Sequence, residues 1–449
     1  MTLVFMLQGQ FNFNQVGDTI KYSDISYFGK SVDIDMDGNT IVASTMHYNG
    51  DSSNVGLIRV YELVDSNWVQ KGQDIVGNNS ERIGNNVRLN ATGDIFITSA
   101  RGMPNFWSYD NKIKVYEFIN GQWQSKGSSI SFQAEPSLDI NADGNTIIVG
   151  GHRNNANYHK GLAIVYTYEN NDWQQKGDSL TVNVDWGYFA HQVVVNGNGN
   201  VIAISDSSYG DIRLYSFVDS NWIIIDEPIN SGCWGASEFD LSYSGDKIVL
   251  TSTSGSGSCN NKVQSYLVGA NSLTRESEFD IDFAYGLNIR IDSIGNKFVL
   301  ACQNSYYQYT PKLFEIKGGE WIEYETGINN VNVSDISISG DGKNIIVGTG
   351  NSSEVLVYSV EKDNVVYQVS CDSFVWYGNV YDSSGVYTID STVYLYLSLY
   401  PSYHFDTSIT ACDFFEIDDS TYENSGDYHF YYQSKNSCDS IVNLSLIHI

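Results

Sequence analysis

The residues best suited to bind something are aromatic and basic side chains that fall in unequal gaps of an otherwise regular chain. His47 and Tyr48 form one group, Arg101, Phe106, Trp107 and Tyr109 a second, and His152, Arg153, Tyr158 and His159 a third. Tyr306, Tyr307 and Tyr309 form another. Tyr27, Phe28, Trp186, Tyr188, Phe189, Trp234 and Tyr285 recur at a second place in the pattern. An aromatic face gives a sugar or an apolar side chain a flat partner, and Arg, His or Asn can bond the hydroxyls around it. For any single ring the plainer role is packing; the clustering is what points to a glycan or protein ligand.

Metal and acid–base chemistry find less support. Asp33, Asp35 and Asp37, followed by Gly38, match the opening of a calcium loop, but Ile41 and Ser44 stand where later ligands belong. Asp139, Asn141 and Asp143 repeat the opening and again lack the closing acid. The alternative is an outward-facing polar alternation that ends in a hairpin turn. Calcium at Asp33, Asp35 and Asp37 is the one metal candidate, and no other cofactor is expected. The chain has no nucleophile elbow, no His-Glu-x-x-His and no phosphate-binding loop. A glycosidase or lyase remains the enzymatic alternative, since fold alone does not decide activity.

A repeat must position these residues. Glycine-centred turns at Gly38, Gly93, Gly144, Gly199, Gly245, Gly295 and Gly342 are spaced by 55, 51, 55, 46, 50 and 47 residues. Such turns between apolar runs signal hairpins. A third-strand aromatic gives the same count, at Tyr61, Tyr116, Tyr166, Tyr215, Tyr266, Phe314 and Tyr358. Trp68, Trp123, Trp173, Trp222 and Trp321 open a fourth strand. Four antiparallel strands at this period describe a propeller blade. The seventh unit has no Trp strand after it, but residues 13–20 copy the pattern of residues 68–75. The expectation is an all-β, seven-bladed β-propeller over residues 11–367, its last blade closed by the N-terminal strand. Closure removes sheet edges that invite unwanted pairing. The interval from turn glycine to third-strand aromatic runs 23, 23, 22, 16, 21, 19 and 16 residues, so length variation falls in the loops between the second and third strands. Variable loops on a rigid frame are where binding residues concentrate.

The pattern Asp-Gly-Asn-Thr-Ile, then Val-Tyr, then Trp-x-Gln-x-Gly resembles the propeller repeats of large secreted proteins from marine bacteria, loosely related to FG-GAP and WD40-like families. The resemblance implies an extracellular propeller of undefined ligand. The Gly-His and Trp-Asp signatures of intracellular WD40 proteins are absent. The remaining residues strengthen it. Cys371, Asp372, Phe374, Tyr381, Ser384, Gly385 and Tyr387 recur 41 positions later as Cys412, Asp413, Phe415, Tyr422, Ser425, Gly426 and Tyr428. These units resemble Cys-Asp-Ser repeats near the C-termini of secreted Bacteroidetes proteins. They make two small β repeats, residues 368–410 and 411–449. In that family a second Cys closes each unit, which implies a Cys412–Cys438 disulfide. In the first unit Ile389 stands at that closing position. Cys233 and Cys259 fall in loops of one blade, where a disulfide and two thiols are both open readings.

Composition limits the partners. The net charge is -29, with 53 acidic against 24 basic residues. Such a surface repels phosphate backbones and anionic headgroups, so neither nucleic acid nor membrane insertion is expected. Residues 1–10 read as a signal-peptide remnant or as an apolar strand edge. Residues 444–449 resemble a translated sequencing adapter, so the second small repeat is read as truncated; the alternative is a last strand. The functional expectation is an extracellular or cell-surface adhesion propeller that binds glycan or protein. A purely structural spacer of a larger adhesin is the third reading.

Overall fold

The computed structural model describes residues 11–449 except 51, 102–110, 153–160, 182–188, 207–209, 231–237, 253–261, 282–285, 304–308, 329–330, 363, 389–392 and 434–437. Among the described residues there is no α-helix, and regular structure is strand apart from a 3-10 turn at Gly350–Ser352. The chain divides into two compact units, one holding Phe11–Glu361 and the other Lys362–Ile449.

In the first unit the described strands form seven antiparallel sheets, each built on a path of four. Sheet 1 is Ser31–Ile34, Thr40–Thr45, Leu57–Val64 and Asn67–Gln70. Sheets 2 to 6 open on Ile83–Leu89, Ser137–Ile140, Phe189–Val195, Phe239–Leu241 and Gly286–Ile291. Sheet 7 is Asp335–Ile338, Asn344–Gly348 and Glu354–Lys362, with Phe11–Gln15 as its fourth strand. Ile20 and Lys21 pair with Val355 and Glu354, as Ile75 and Val76 pair with Ile58 and Leu57 in sheet 1.

The second strands are buried along most of their length, and wholly so in Thr40–Thr45 and Ile95–Ala100, because neighbouring sheets cover both faces. Apolar clusters fill the seams. Val32, Ile41 and Leu57 of sheet 1 meet Ile346, Val355 and Val357 of sheet 7. Val299 and Leu313 of sheet 6 meet Ile336, Ile345 and Val347 of sheet 7. Each such side chain contributes roughly 1.5–3 kcal/mol on burial.

The Trp-x-Gln-x-Gly motif works across the outer seams. The indole N–H groups of Trp123, Trp173 and Trp222 donate to Lys71 O, Lys126 O and Lys176 O of the preceding sheet, at 2.7, 2.8 and 2.8 Å. Trp68 donates to Val16 O at 2.8 Å, so the N-terminal segment serves sheet 1 as each Lys-Gly tail serves the next sheet. The glycine after each acceptor carries the contact. At Gly177 φ is +71°, and an added Cβ would lie 2.8 Å from Trp222 Cδ1. Glycine meets both demands, the left-handed backbone and the flat approach of the ring.

In the second unit each small repeat pairs strands in parallel. Asn364–Cys371 runs beside Val393–Tyr400, and Tyr403–Ala411 beside Asp439–His448. Each sheet adds one antiparallel strand, Gly385–Thr388 or Gly426–Gln433. Leu395 and Leu397 are buried in the first and Leu444 and Leu446 in the second.

The implied Cys412–Cys438 disulfide is not formed. Cys438 pairs with Cys371, with Cα atoms 5.6 Å apart, and Cys412 is free and exposed. The parallel register explains this. Tyr403 lies opposite Ser440 and Ala411 opposite His448, so Cys438 precedes one end of the pair and Cys412 follows the other. Eight or nine residues at about 3.3 Å each separate them, far beyond the reach of about 7 Å that a disulfide spans. Cys371 instead ends its strand opposite Tyr400, whose carbonyl lies 3.5 Å from Cys438 Sγ. The bridge therefore joins the two repeats to each other. Cys233 and Cys259 lie outside the described residues.

Two outcomes follow from this packing. Gly177→Ala should destabilise the chain by about 1–3 kcal/mol in urea unfolding through overlap and backbone strain. Gly121→Ala, with φ +82° but open space around it, should cost only the strain. Non-reducing peptide mapping should recover a Cys371–Cys438 cross-link and a carbamidomethylated Cys412.

Candidate functional site

All seven connections between first and second strands span five residues: 35–39, 90–94, 141–145, 196–200, 242–246, 292–296 and 339–343. The first residue of each caps its own turn with a side-chain oxygen. Asp35 Oδ1 accepts from Asn39 N and Thr40 N at 2.9 and 3.0 Å, and Asn196 Oδ1 accepts from Asn200 N and Val201 N at 3.0 and 2.8 Å. The backbone of the second residue bonds to the next turn. Met36 N donates to Ala91 O, Ala91 N to Ala142 O, Ala142 N to Gly197 O and Gly197 N to Tyr243 O. Tyr243 N donates to Ser293 O, Ser293 N to Gly340 O, and Asp341 N returns to Met36 O at 2.9 Å.

Inside this ring lies a cavity of about 620 Å³. Two rings of side chains from the first strands line it. Five residues before each turn glycine stand Asp33, Arg88, Asp139, Val194, Asp240, Arg290 and Ser337. Seven before it stand Ser31, Asn86, Ser137, Gln192, Glu238, Asn288 and Asp335. The residues between, such as Val32, Ile34, Val87, Leu89, Ile289 and Ile291, are buried in the seams. The alternation read as facing outward therefore faces the channel.

Most of the channel carboxylates also bond across a seam. Leu89 N donates to Asp33 Oδ2 at 2.8 Å, Val195 N to Asp139 Oδ2 at 2.8 Å, Ile291 N to Asp240 Oδ2 at 3.1 Å and Val32 N to Asp335 Oδ2 at 3.0 Å. Arg88 Nη1 lies 3.8 Å from Asp335 Oδ2. Burial still dominates the ionisation of Asp33, Asp139 and Asp240. Loss of hydration pushes Asp139 up to about 7 and Asp240 up to about 8, with the Asp139 charge adding to the latter. Glu238 is pushed up to about 7 by the same cause and by Asp335. Water entering the channel still reaches part of Glu238, yet protein surrounds its carboxyl closely.

Of the calcium candidates, Asp33 accepts from Leu89 N and Ser337 Oγ, Asp35 caps its turn, and Asp37 is exposed. Among the described residues no three His, Cys, Asp or Glu side chains are placed to hold a metal ion.

At the opposite end of the channel the second strands end and the third strands begin, across sequence intervals of unequal length, 46–56, 101–110, 153–160, 207–210, 253–261, 304–308 and 349–353. Among the expected binding residues, His47, Tyr48 and Arg101 can be placed there. The His47 ring lies 4.9 Å from that of Tyr27, which is exposed and has φ +59°. Burial, then Arg82 and Lys30, lower the His47 pKa, so the imidazole is neutral at pH 7 and can both donate and accept. Tyr48 O accepts from Val55 N and Gly56 N and folds its loop back on itself. Arg101 Nη1 lies 3.7 Å from Glu135 Oε1. The His152 backbone ends a strand opposite Gly161. Phe28 and Phe189 are fully buried packing residues. Trp107, Tyr109, Arg153, Tyr158, Trp186, Tyr188, Trp234, Tyr285 and Tyr307 lie outside the described residues.

No protein-family model and no curated protein matches the chain. Solved structures do. The β-propeller domain of Cps50 (Swd1) from Myceliophteria thermophila superposes with a TM-score of 0.54 at 10% identity, covering 78% of this chain and 99% of that one. The fold is a β-propeller. At that identity the likeness carries the arrangement of sheets and nothing of a ligand.

The channel acids set a direction for stability against pH. A carboxyl whose pKa is raised on folding holds its proton longer in the folded chain. Its contribution is fully present below the unfolded value near 4 and is lost as pH rises through the folded value. Glu238→Gln should therefore gain urea stability over the parent as pH rises from about 5 to about 8.5. A gap that stays constant across that range would show that Glu238 is well hydrated.

Proposed function

We propose that the seven sheets are the blades of one closed seven-bladed propeller, sealed by Phe11–Gln15, and that it is a non-catalytic extracellular or cell-surface recognition protein for glycan or protein ligands. The observation that carries this reading is the contrast between the two ends. One end has seven connections of equal length bonded in a ring, and the other has connections of unequal length. A rigid frame with variable loops at one end suits recognition. The neutral His47 imidazole beside the exposed Tyr27 ring suits a sugar, which offers hydroxyls at its edge and C–H groups on its face. The Cys371–Cys438 bridge supports an oxidising compartment.

A glycosidase or lyase reading has one feature in its favour, the raised pKa of Asp139, Glu238 and Asp240. Asp139 and Asp240 are, however, bonded to backbone N–H groups of the next sheet, as structural cross-ties are.

A glycan array probed with the full chain tests the proposal. Binding without turnover is expected, and the double variant His47→Ala, Arg101→Ala should weaken it about tenfold while the melting temperature stays unchanged. Release of reducing ends would favour the enzyme. Silence on the array and equal affinity of the double variant for any protein ligand would remove the proposed surface.

A further inference from the structure

We propose that the central channel is a binding site for an organic cation with N–H donors, an ammonium or guanidinium group, and that Glu238 is its direct partner. This site is built on side chains at the first strands, and the proposal does not depend on the unequal connections binding anything.

The argument starts from what the other carboxylates do. Asp33, Asp139, Asp240 and Asp335 each accept a backbone N–H of the next sheet, so their presence has a structural cause. Glu238 lines the same cavity, one position toward the mouth from Asp240 along the same face, and its carboxylate accepts no hydrogen bond and joins no ion pair among the described residues. A cross-tie role does not account for it. A charged side chain in so enclosed a place is costly unless something pairs with it.

The fixed cations of the channel do not supply that partner. Arg88 faces Asp335 and donates to Val87 O at 2.8 Å. Arg290 is 8% exposed, donates to Ile289 O at 2.8 Å, and among the described residues has no carboxylate within ion-pair distance. The two rings thus hold five acids, Asp33, Asp139, Glu238, Asp240 and Asp335, against two arginines. Around them at the rim stand Lys30, Glu135 and His191.

Shape and chemistry choose the occupant. The cavity volume of about 620 Å³ exceeds that of a small organic cation. The absence of a three-ligand metal cluster among the described residues favours N–H donors over a metal ion. A cation seated against Glu238 would relieve the repulsion that the Asp335 charge sets on its ionised form. It would also draw the proton from Glu238 and so release protons on binding near neutral pH.

Calorimetry of the full chain at about 0.15 M salt tests this. The probes are Nα-acetyl-lysine amide for a peptide side chain, glucosamine for an amino sugar, and tetramethylammonium as a cation without N–H. Binding of at least one of the first two is expected, and which one binds tells the sources apart. Affinity for the lysine probe should rise about fivefold or more from pH 6 to 8, with protons released, and Glu238→Gln should lower it by a similar factor. Glu238→Asp should retain part of it. Equal binding of tetramethylammonium, unchanged affinity in Glu238→Gln, or no heat from either N–H probe at millimolar concentration would overturn the proposal. Proton release and the tetramethylammonium comparison use the parent chain, so the test survives a variant that does not fold. The array result bears only on the mouth, so either proposal can fail alone.

Discussion

The run of backbone hydrogen bonds from turn to turn is the constraint on which the rest of the first unit depends. Each five-residue turn gives one N–H to the next turn and accepts one from the turn before it, and the last returns to the first. A turn of another length would present its N–H at the wrong height. This accounts for the uniform turns and for the small or compliant residues at that position, Ala91, Ala142, Gly197, Ser293 and Gly340 among them. With that end tied, the first strands converge, and the side chains seven and five residues before each glycine have nowhere to point but the axis.

Polar convergence is what the tying costs. First strands placed so close would crowd large apolar residues at the axis, and the chain uses Ser, Asn, Asp and Arg there instead. Asp33 shows the economy of the arrangement: one oxygen takes Leu89 N of sheet 2 and the other Ser337 Oγ of sheet 7, so a single side chain spans three sheets. The outer seams use a different device, an indole against a glycine, which needs no charge. The fold is thus held by ionic and hydrogen-bonded contacts near its axis and by flat apolar contacts toward its edge.

Much of this was legible in the sequence. Turn glycines and third-strand aromatics mark the hairpins because backbone sign and ring burial restrict those residues wherever they recur. The role of Trp68 and Trp123 as strand openers was also plain, though not their hydrogen bonds to Val16 and Lys71. The channel was not legible. Period-two alternation at Asp33 and Asp35 says that one face is polar, but not whether that face meets bulk water or an enclosed space. The signal was present in the recurrence of polar residues at the same two offsets, Arg88 and Asn86, Arg290 and Asn288, Asp240 and Glu238. The disulfide was misread because repeat likeness suggests closure within a unit. Strand direction decides which ends meet, and parallel pairing of Tyr403–Ala411 with Asp439–His448 carries no mark in the residues.

That bridge has a mechanical consequence. The sulfur link spans 67 positions, so tension entering near Asn364 and leaving along Asp439–His448 passes from Cys371 to Cys438 and bypasses everything between. Fully drawn out, that stretch would add about 230 Å of slack at roughly 3.4 Å per residue. With the bond intact, the two small sheets cannot pay out that length under load. Reduction would release that length.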